Sequence, residues 1–157
     1  MLNRTLTFWA NWLVLAAIIL LLDAVSTFIV AEVFATAGYD LLVGEDAHEA
    51  LPDDAIEWMR GLIAAIAGFA GAAGVLLLGV AHGPFRRGEQ WAWYVVAGST
   101  LPWNLFVVLY GLLVIDEITL GLALLGGALY WVLFLPPVIL SWPLFFRAAD
   151  TTAQPQP

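Results

Sequence analysis

Cysteine is absent from this sequence, and so is lysine, which leaves five arginines as the only permanent side-chain cations. Without a thiol, the chain can hold no thiolate metal site and no iron–sulfur cluster. A nucleic-acid-binding surface needs clustered cations, whereas 13 acidic residues give this chain a formal net charge of −8. We therefore predict no nucleic-acid partner and no cofactor.

Charge is also missing from four long stretches. Residues 61–81, 90–115 and 118–146 contain no charged side chain, and residues 5–31 contain only Asp23. About 20 helical residues, at roughly 1.5 Å each, cross a hydrocarbon core of about 30 Å. The stretches are continuous rather than alternating, and a backbone in lipid must satisfy its own polar groups. The sequence therefore predicts an all-α polytopic membrane protein with four transmembrane helices in a bundle.

The ends of these stretches define one transmembrane domain, which we predict over residues 1–150. Its helices are expected at about residues 7–36, 57–81, 90–115 and 118–146. Residues 151–157 form a polar, proline-bearing tail that is expected to be disordered. A cleaved signal peptide is the alternative for the first span, because Arg4 precedes an apolar run and Ala35-Thr36-Ala37. The run continues past Asp23, longer than a signal peptide needs, so a retained span is favoured.

The arginines predict how the chain crosses the membrane. Arg4 precedes the first span, and Arg86 and Arg87 lie between the second and third. Arg147 follows the fourth span. Short cytoplasmic loops retain Lys and Arg, so an even number of spans places these arginines and both termini in the cytoplasm. Only Arg60 falls on the opposite side. Acidic residues crowd the first external connection: Asp40, Glu45, Asp46, Glu49, Asp53, Asp54 and Glu57.

The second predicted span is rich in small residues at helical spacing. Small side chains let helix backbones approach in lipid, where association depends on van der Waals contact. Two neighbouring stripes are predicted to pack against two other helices, which would make this span the central one. The first stripe contains Gly61, Ala65, Gly68 and Ala72, and the second contains Ala64, Ala67, Gly71 and Gly74.

Asp23 is the one ionisable residue expected at real membrane depth. A mid-helix Asp costs about 2.5–3.5 kcal/mol on insertion scales, so it is expected to face the bundle interior. Asn104 is expected at the same depth, and Thr27 and Thr100 would complete a polar cluster. Two interpretations stay open: an interhelical hydrogen bond that holds the bundle together, or a proton- or cation-binding site.

Other polar groups give weaker signals. His48 lies among Glu45, Asp46 and Glu49, and these are ligand types for a divalent cation. Their spacing matches no compact metal motif, so we expect a solvated acidic loop and no metal. No serine has a histidine at its membrane depth to act as a base. The sequence therefore predicts no catalytic residue.

Tryptophan and proline positions predict the helix ends and a bend. The pair Pro136-Pro137 lies within the fourth span, where each proline removes a backbone donor. We expect a bend that the neighbouring helices accommodate. Five tryptophans are expected at one membrane interface, as an aromatic belt: Trp9, Trp12, Trp91, Trp93 and Trp142.

The segment Arg86-Arg87-Gly88-Glu89-Gln90-Trp91-Ala92-Trp93 opens the third span after a glycine-rich second one. It resembles a pattern in small bacterial four-span membrane proteins of uncharacterised families. The resemblance covers about a third of the chain. It implies a bacterial inner-membrane protein and implies no activity.

These features predict an integral membrane helical bundle that serves as a binding or accessory subunit rather than as an enzyme. Its expected partners are the lipid bilayer and either other membrane subunits or further copies of the chain in a homo-oligomer. The alternative is a small transporter or channel protomer that uses Asp23. A dry environment around Asp23 would favour the structural interpretation, and a water-filled cavity would favour transport.

Overall fold

The structure, a computed structural model, describes residues 2–114 and 117–146. Within these ranges, side chains are described except at residues 2–3, 41–42, 103–104 and 106–127. The described backbone is helical and contains no strand, so the prediction of an all-α protein is confirmed. The helices are α1 (Leu2–Ile29), α2 (Ala31–Val43), α3 (Asp53–Val80), α4 (Gln90–Val114) and α5 (Glu117–Phe146). A 3-10 turn (Ala47–Ala50) precedes α3, and a π-helical turn (Ala81–Phe85) extends it.

Three helical stretches of the described chain are long and apolar enough to cross a membrane. They are Arg4–Ile29, Asp53–Phe85 and Ala128–Phe146, with 26, 33 and 19 residues. The chain is therefore a helical protein of the membrane type, and the count of four spans stays a prediction. The other predicted span corresponds to α4, a helix of 25 residues, and most side chains of its second half lie outside the described set. The predicted tail at 151–157 also lies outside the described residues.

The helical region that begins with α1 extends beyond its predicted end near residue 36. Val30 separates α1 from α2 and departs from helical geometry, with φ −108° and ψ 27°. The hydrogen-bond ladder continues across it, because the Val30 N–H donates to Ser26 O at 3.0 Å and the Phe34 N–H donates to Val30 O at 3.1 Å. α2 ends where Gly44 adopts φ 142°, a conformation that residues with a Cβ rarely reach.

The start of α3 also differs from the prediction, since the helix begins at Asp53 rather than near residue 57. Pro52 lies immediately before it. Asp53 and Asp54 occupy the first turn, where the helix dipole favours acidic side chains. The acidic character of this connection therefore helps to begin the helix as well as to keep the connection in water.

Contacts divide the chain into two compact units. Unit 1 contains residues 1–16 and 77–157, which include the first half of α1, the end of α3, and all of α4 and α5. Unit 2 contains residues 17–76, which include the second half of α1, α2 and most of α3. The single domain expected over residues 1–150 stays a prediction.

In unit 1, each helix buries one face at helical spacing. Ala10, Ala16 and Ala92 have no exposed surface, and side chains this small let helices pack closely. The buried set is Leu6, Ala10, Leu13 and Ala16 in α1, Leu77, Ala81 and Phe85 at the end of α3, Ala92, Val96, Ala97 and Thr100 in α4, and Leu133, Phe134, Pro137, Val138, Ser141 and Phe145 in α5.

A side chain from α1 compensates for a proline in α5. Pro137 has no N–H, so the carbonyl of Leu133, four residues earlier, loses its usual helical donor. The Trp12 indole Nε1–H donates to this oxygen at 2.9 Å. Trp12 is thus a half-buried hydrogen-bond donor, and its place in an interfacial belt stays a prediction. The hydrogen bond lost at Pro137 is replaced by one from a specific neighbour, and the expected bend stays a prediction.

α4 packs antiparallel along α5 through two further side-chain donors. Trp93 Nε1–H donates to Val138 O at 3.0 Å, and Gln90 Nε2–H donates to Phe145 O at 3.2 Å. Phe145 lies in the last turn of α5, where carbonyls have no partner within the helix. The rings of Trp93 and Trp142 meet edge to face, with centroids 4.7 Å apart. Aromatic packing therefore reinforces the hydrogen bonds at this end of unit 1.

We predict that Trp12→Phe lowers the free energy of unfolding by about 1 kcal/mol, because the Leu133 carbonyl then lacks a donor. Pro137→Ala restores a backbone N–H for that carbonyl, so the tryptophan substitution should cost less in the alanine background. Unfolding of the wild type, the two single variants and the double variant in detergent micelles measures this coupling. Additive effects of the two substitutions would contradict the role assigned to Trp12.

Candidate functional site

Asp23, the leading candidate from the sequence, has an exposed side chain on α1. Its backbone carbonyl accepts a hydrogen bond from the Ser26 hydroxyl at 2.9 Å. Thr27, one turn along the helix, is half-buried. The buried face of this part of the chain belongs to Ala24 and Ala31, which are 5% and 3% exposed. Within unit 2, the face that packs inward is therefore made by these small side chains, and the expectation that Asp23 faces the interior of a four-helix bundle stays a prediction.

The other members of the expected polar cluster fall in unit 1. Thr100 of α4 is buried, and its hydroxyl donates to Val96 O of its own helix at 2.8 Å. The side chain of Asn104 lies outside the described residues, whereas Asp23 and Thr27 belong to unit 2. A cluster of these four residues as a ligand or ion site stays a prediction.

α3 approaches α1 closely through the second of its two small-residue stripes. Gly74 is buried, and a Cβ placed on it would lie 2.8 Å from Leu21 Cγ and 3.4 Å from Ala17 O. A Cβ on Gly71 would lie 3.7 Å from the Ala24 Cβ. The backbones are therefore so near at Gly74 that no side chain fits there without displacing Leu21.

The first stripe of α3 has a different environment. Gly61, Ala65, Gly68 and Ala72 are all exposed. A Cβ on Gly61 or Gly68 would meet no atom within 4 Å. That this stripe packs against a second close helix stays a prediction. At Gly61 and Gly68, the described part of the chain does not supply that helix.

An apolar groove lies beside the α1–α3 contact within unit 2. Its volume is about 230 Å³. Val25, Phe28 and Ile29 on its α1 side are more than half exposed, so the groove opens to the surroundings. Every residue around it is apolar: Leu21, Ala24, Val25, Phe28 and Ile29 from α1, and Ala67, Gly68 and Gly71 from α3.

An ion pair joins α2 and α3 beyond one end of this groove, three residues after Ile29 and seven residues before Ala67. Arg60 Nη1 lies 3.5 Å from Glu32 Oε2, and their side chains are 53% and 65% exposed. Glu32 is 11 residues after Leu21, and Arg60 is 11 residues before Gly71. Residues 11 apart on a helix differ by only about 20° in direction. Arg60 therefore lies on the same face of α3 as Gly71, whereas Val30 interrupts the helix between Leu21 and Glu32. This pairing could not be read from the sequence, because it involves two separate helices.

The acidic connection in unit 2 is ordered by one carboxylate. The His48 N–H donates to Asp40 Oδ1 at 2.8 Å, and His48 Nδ1 lies 2.6 Å from Asp40 Oδ2. Asp46, just before the 3-10 turn, adopts a left-handed conformation with φ 57°. Asp40 thus ties the connection back to α2. Over the described ranges, no three metal-ligating side chains come together.

The cationic loop of unit 1, residues 86–89, is held by hydrogen bonds within the loop and to side chains of α1 and α4. Arg86 donates to Asn11 Oδ1 of α1. Arg87 Nε lies 2.5 Å from Glu89 Oε1, and the Trp91 indole N–H donates to Glu89 Oε2 at 2.6 Å. The Arg87 guanidinium, followed by the Trp91 donor, holds the pKa of Glu89 below its usual range. The carboxylate therefore stays charged and fixes the loop at the start of α4.

The helices and their exposed apolar surfaces define a membrane helical protein. No protein-family model, no curated protein and no solved structure matches the chain. The resemblance carried by residues 86–93 therefore stays an expectation. Any functional assignment rests on the geometry of the chain itself.

We predict that Gly74→Ala lowers the free energy of unfolding by about 1–3 kcal/mol, because the new methyl group displaces Leu21. Gly79→Ala is the matched control, since Gly79 is exposed on the same helix and its Cβ would meet nothing within 4 Å. That variant should keep or slightly increase stability through the better helix propensity of alanine. Thermal unfolding in micelles measures both, and equal stability would contradict the close α1–α3 approach.

Proposed function

We propose that the protein is a four-span subunit of a bacterial inner membrane, with both termini in the cytoplasm, that binds another transmembrane helix. The partner helix belongs to a different membrane subunit or to a second copy of the chain. The observation that carries this proposal is the exposed small-residue stripe of α3, formed by Gly61, Ala65, Gly68 and Ala72. Its role would be that of a binding or accessory subunit in a larger assembly.

The stripe has the chemistry of a helix–helix interface in lipid. Apolar side chains are already solvated by lipid tails, so helices associate where small residues let backbones come close. The second stripe of the same helix shows this use, because Gly71 and Gly74 admit α1 to short distances. The first stripe has the same composition and spacing on an exposed face. A helix packed there would give α3 a close neighbour at each of its two stripes.

The packing of α4 supports the fourth span. α5 contains a membrane-length apolar stretch, Ala128–Phe146. α4 runs antiparallel to it and contacts it through Gln90 and Trp93. With 25 residues, α4 is about 37 Å long at 1.5 Å per residue. A helix of this length that lies along a spanning neighbour is expected to span as well.

Transport through Asp23 receives less support than helix binding. Coupling to a proton or cation requires an acid enclosed by protein or by a water-filled cavity. Asp23 is exposed on the single chain. A transport role would therefore depend on enclosure of Asp23 by helices outside unit 2.

We predict that reporter fusions at the two ends give the same cytoplasmic signal. The reason is the retention of Arg4, Arg86, Arg87 and Arg147 on one side of the membrane. A pair of reporters active on opposite sides of the membrane, fused in turn to each terminus, provides the measurement. Signals from opposite sides would exclude an even number of spans.

We predict that Ala72→Leu abolishes a crosslinked product that the wild type forms in native membranes. Leucine at this exposed stripe position keeps the partner backbone at a distance. Ala73→Leu is the matched control, because Ala73 is also exposed but lies about 100° around the helix. Crosslinking followed by gel mobility and mass analysis shows whether the partner is a second copy. A wild type that yields no product, or equal products from both variants, would overturn the proposal.

A further inference from the structure

We propose that the groove between α1 and α3 binds one acyl chain of a phosphatidylethanolamine, whose headgroup is held by Glu32 and Arg60. The groove is about 230 Å³ in volume and its walls are entirely apolar. The inference goes beyond the role of the protein as a subunit and does not depend on it. Its residues all belong to unit 2, and its walls are already formed by the single chain.

The two charges lie at the depth of lipid headgroups. Arg60 immediately precedes the charge-free segment 61–81 of α3. That segment has 21 residues, and at about 1.5 Å each it matches a hydrocarbon core of about 30 Å. Glu32 is the first charge after Asp23, at the end of the apolar part of α1. The ion pair therefore marks the boundary between hydrocarbon and headgroups in a spanning arrangement.

The groove has the length and direction of an acyl chain in one leaflet. Its α1 wall covers residues 21–29, which is about 12 Å at 1.5 Å per residue. One leaflet of hydrocarbon is about 15 Å thick, half of the core. Gly68 and Gly71 carry no side chain, so part of the α3 wall is backbone that a thin methylene chain can approach closely. Its outer end lies three residues from Glu32 and seven residues from Arg60 along the chain, so the glycerol of a bound lipid would lie between the ion pair and the acyl chain.

The ion pair complements a zwitterionic headgroup. A guanidinium binds phosphate through parallel N–H donors, and a carboxylate accepts hydrogen bonds from an ammonium. Arg60 and Glu32 present these two groups side by side, 3.5 Å apart. Both are more than half exposed, so a lipid can reach them without burying either charge.

The charges around the pair select among lipids. Residues 32–60 contain eight acidic side chains and one arginine, so an anionic headgroup is repelled there. Phosphatidylcholine is neutral overall, but its quaternary ammonium has no N–H to donate to Glu32. Phosphatidylethanolamine combines zero net charge with an ammonium that donates. We therefore expect the order phosphatidylethanolamine, then phosphatidylcholine, then phosphatidylglycerol.

Native mass spectrometry of the full chain, released from detergent micelles with equal amounts of these three lipids, tests the proposal. The wild type should retain one phosphatidylethanolamine roughly threefold to tenfold more often than phosphatidylglycerol, a ratio typical of charge-assisted contacts at an exposed site. The double variant Glu32→Gln, Arg60→Gln should bind phosphatidylethanolamine and phosphatidylcholine equally, whereas phosphatidylglycerol stays disfavoured by the seven acidic residues that remain between 32 and 60. Both charges are exposed, so this variant is expected to fold, and its helical circular dichroism checks that.

The groove itself is tested by filling it. Val25→Trp places a large ring in the groove, and it should reduce retention of every lipid. Leu22→Trp is the matched control, because Leu22 is 65% exposed on the same helix and lies outside the groove. It should behave as the wild type does.

Three results would overturn the proposal. The first is equal retention of the three lipids by the wild type, and the second is a preference for phosphatidylethanolamine over phosphatidylcholine that survives loss of both charges. The third is a Val25→Trp variant that retains lipid normally but loses a dimer, which would assign the groove to a helix of a second copy. If the wild type forms no crosslinked product, or Ala72→Leu does not abolish it, the lipid measurements still test this proposal. Lipid retention is measured on the monomer and does not require a partner helix.

Discussion

A backbone carbonyl in hydrocarbon must find a donor within the protein, and this constraint organises unit 1. α5 contains Pro136, Pro137 and Pro143, and each proline removes one N–H from the helical ladder. The Trp12 indole supplies the donor that Leu133 lacks. α1 is thereby attached to α5 at a defined height. A tryptophan can thus serve as a hydrogen-bond donor to a neighbouring helix that contains a proline. Its place near the end of a predicted span does not reveal that role.

Packing in unit 2 follows a different rule, because α1 and α3 meet there through close van der Waals contact at glycine. Gly74 of α3 lies against Leu21 and Ala17 of α1 without room for a Cβ. Close approach at this point leaves the groove beside it, since the bulkier Val25 and Phe28 stand out from the helix surface. The groove is therefore a geometric result of the glycine contact.

The helical class and the apolar spans could be predicted because they depend on composition and run length alone. The rotation of each helix about its own axis could not be predicted in this way. Within unit 2, for example, Ala24 takes the buried face next to Gly71, and the periodicity of the helix did not single it out. Of two equivalent small-residue stripes, only the one with Gly71 and Gly74 faces α1. Such choices depend on which surfaces meet in three dimensions, and the periodicity of a single helix carries no information about its partner.

Gly68 belongs to both of the surfaces proposed for binding, the groove and the exposed stripe of α3. It lines the groove, and it also belongs to the exposed stripe with Ala65 and Ala72. A helix packed on the stripe would therefore lie next to a lipid held in the groove, with Gly68 between them. Because glycine lets both approach closely, the bound lipid would form part of the helix interface. The affinity of the partner helix would then depend on the headgroup that Glu32 and Arg60 select.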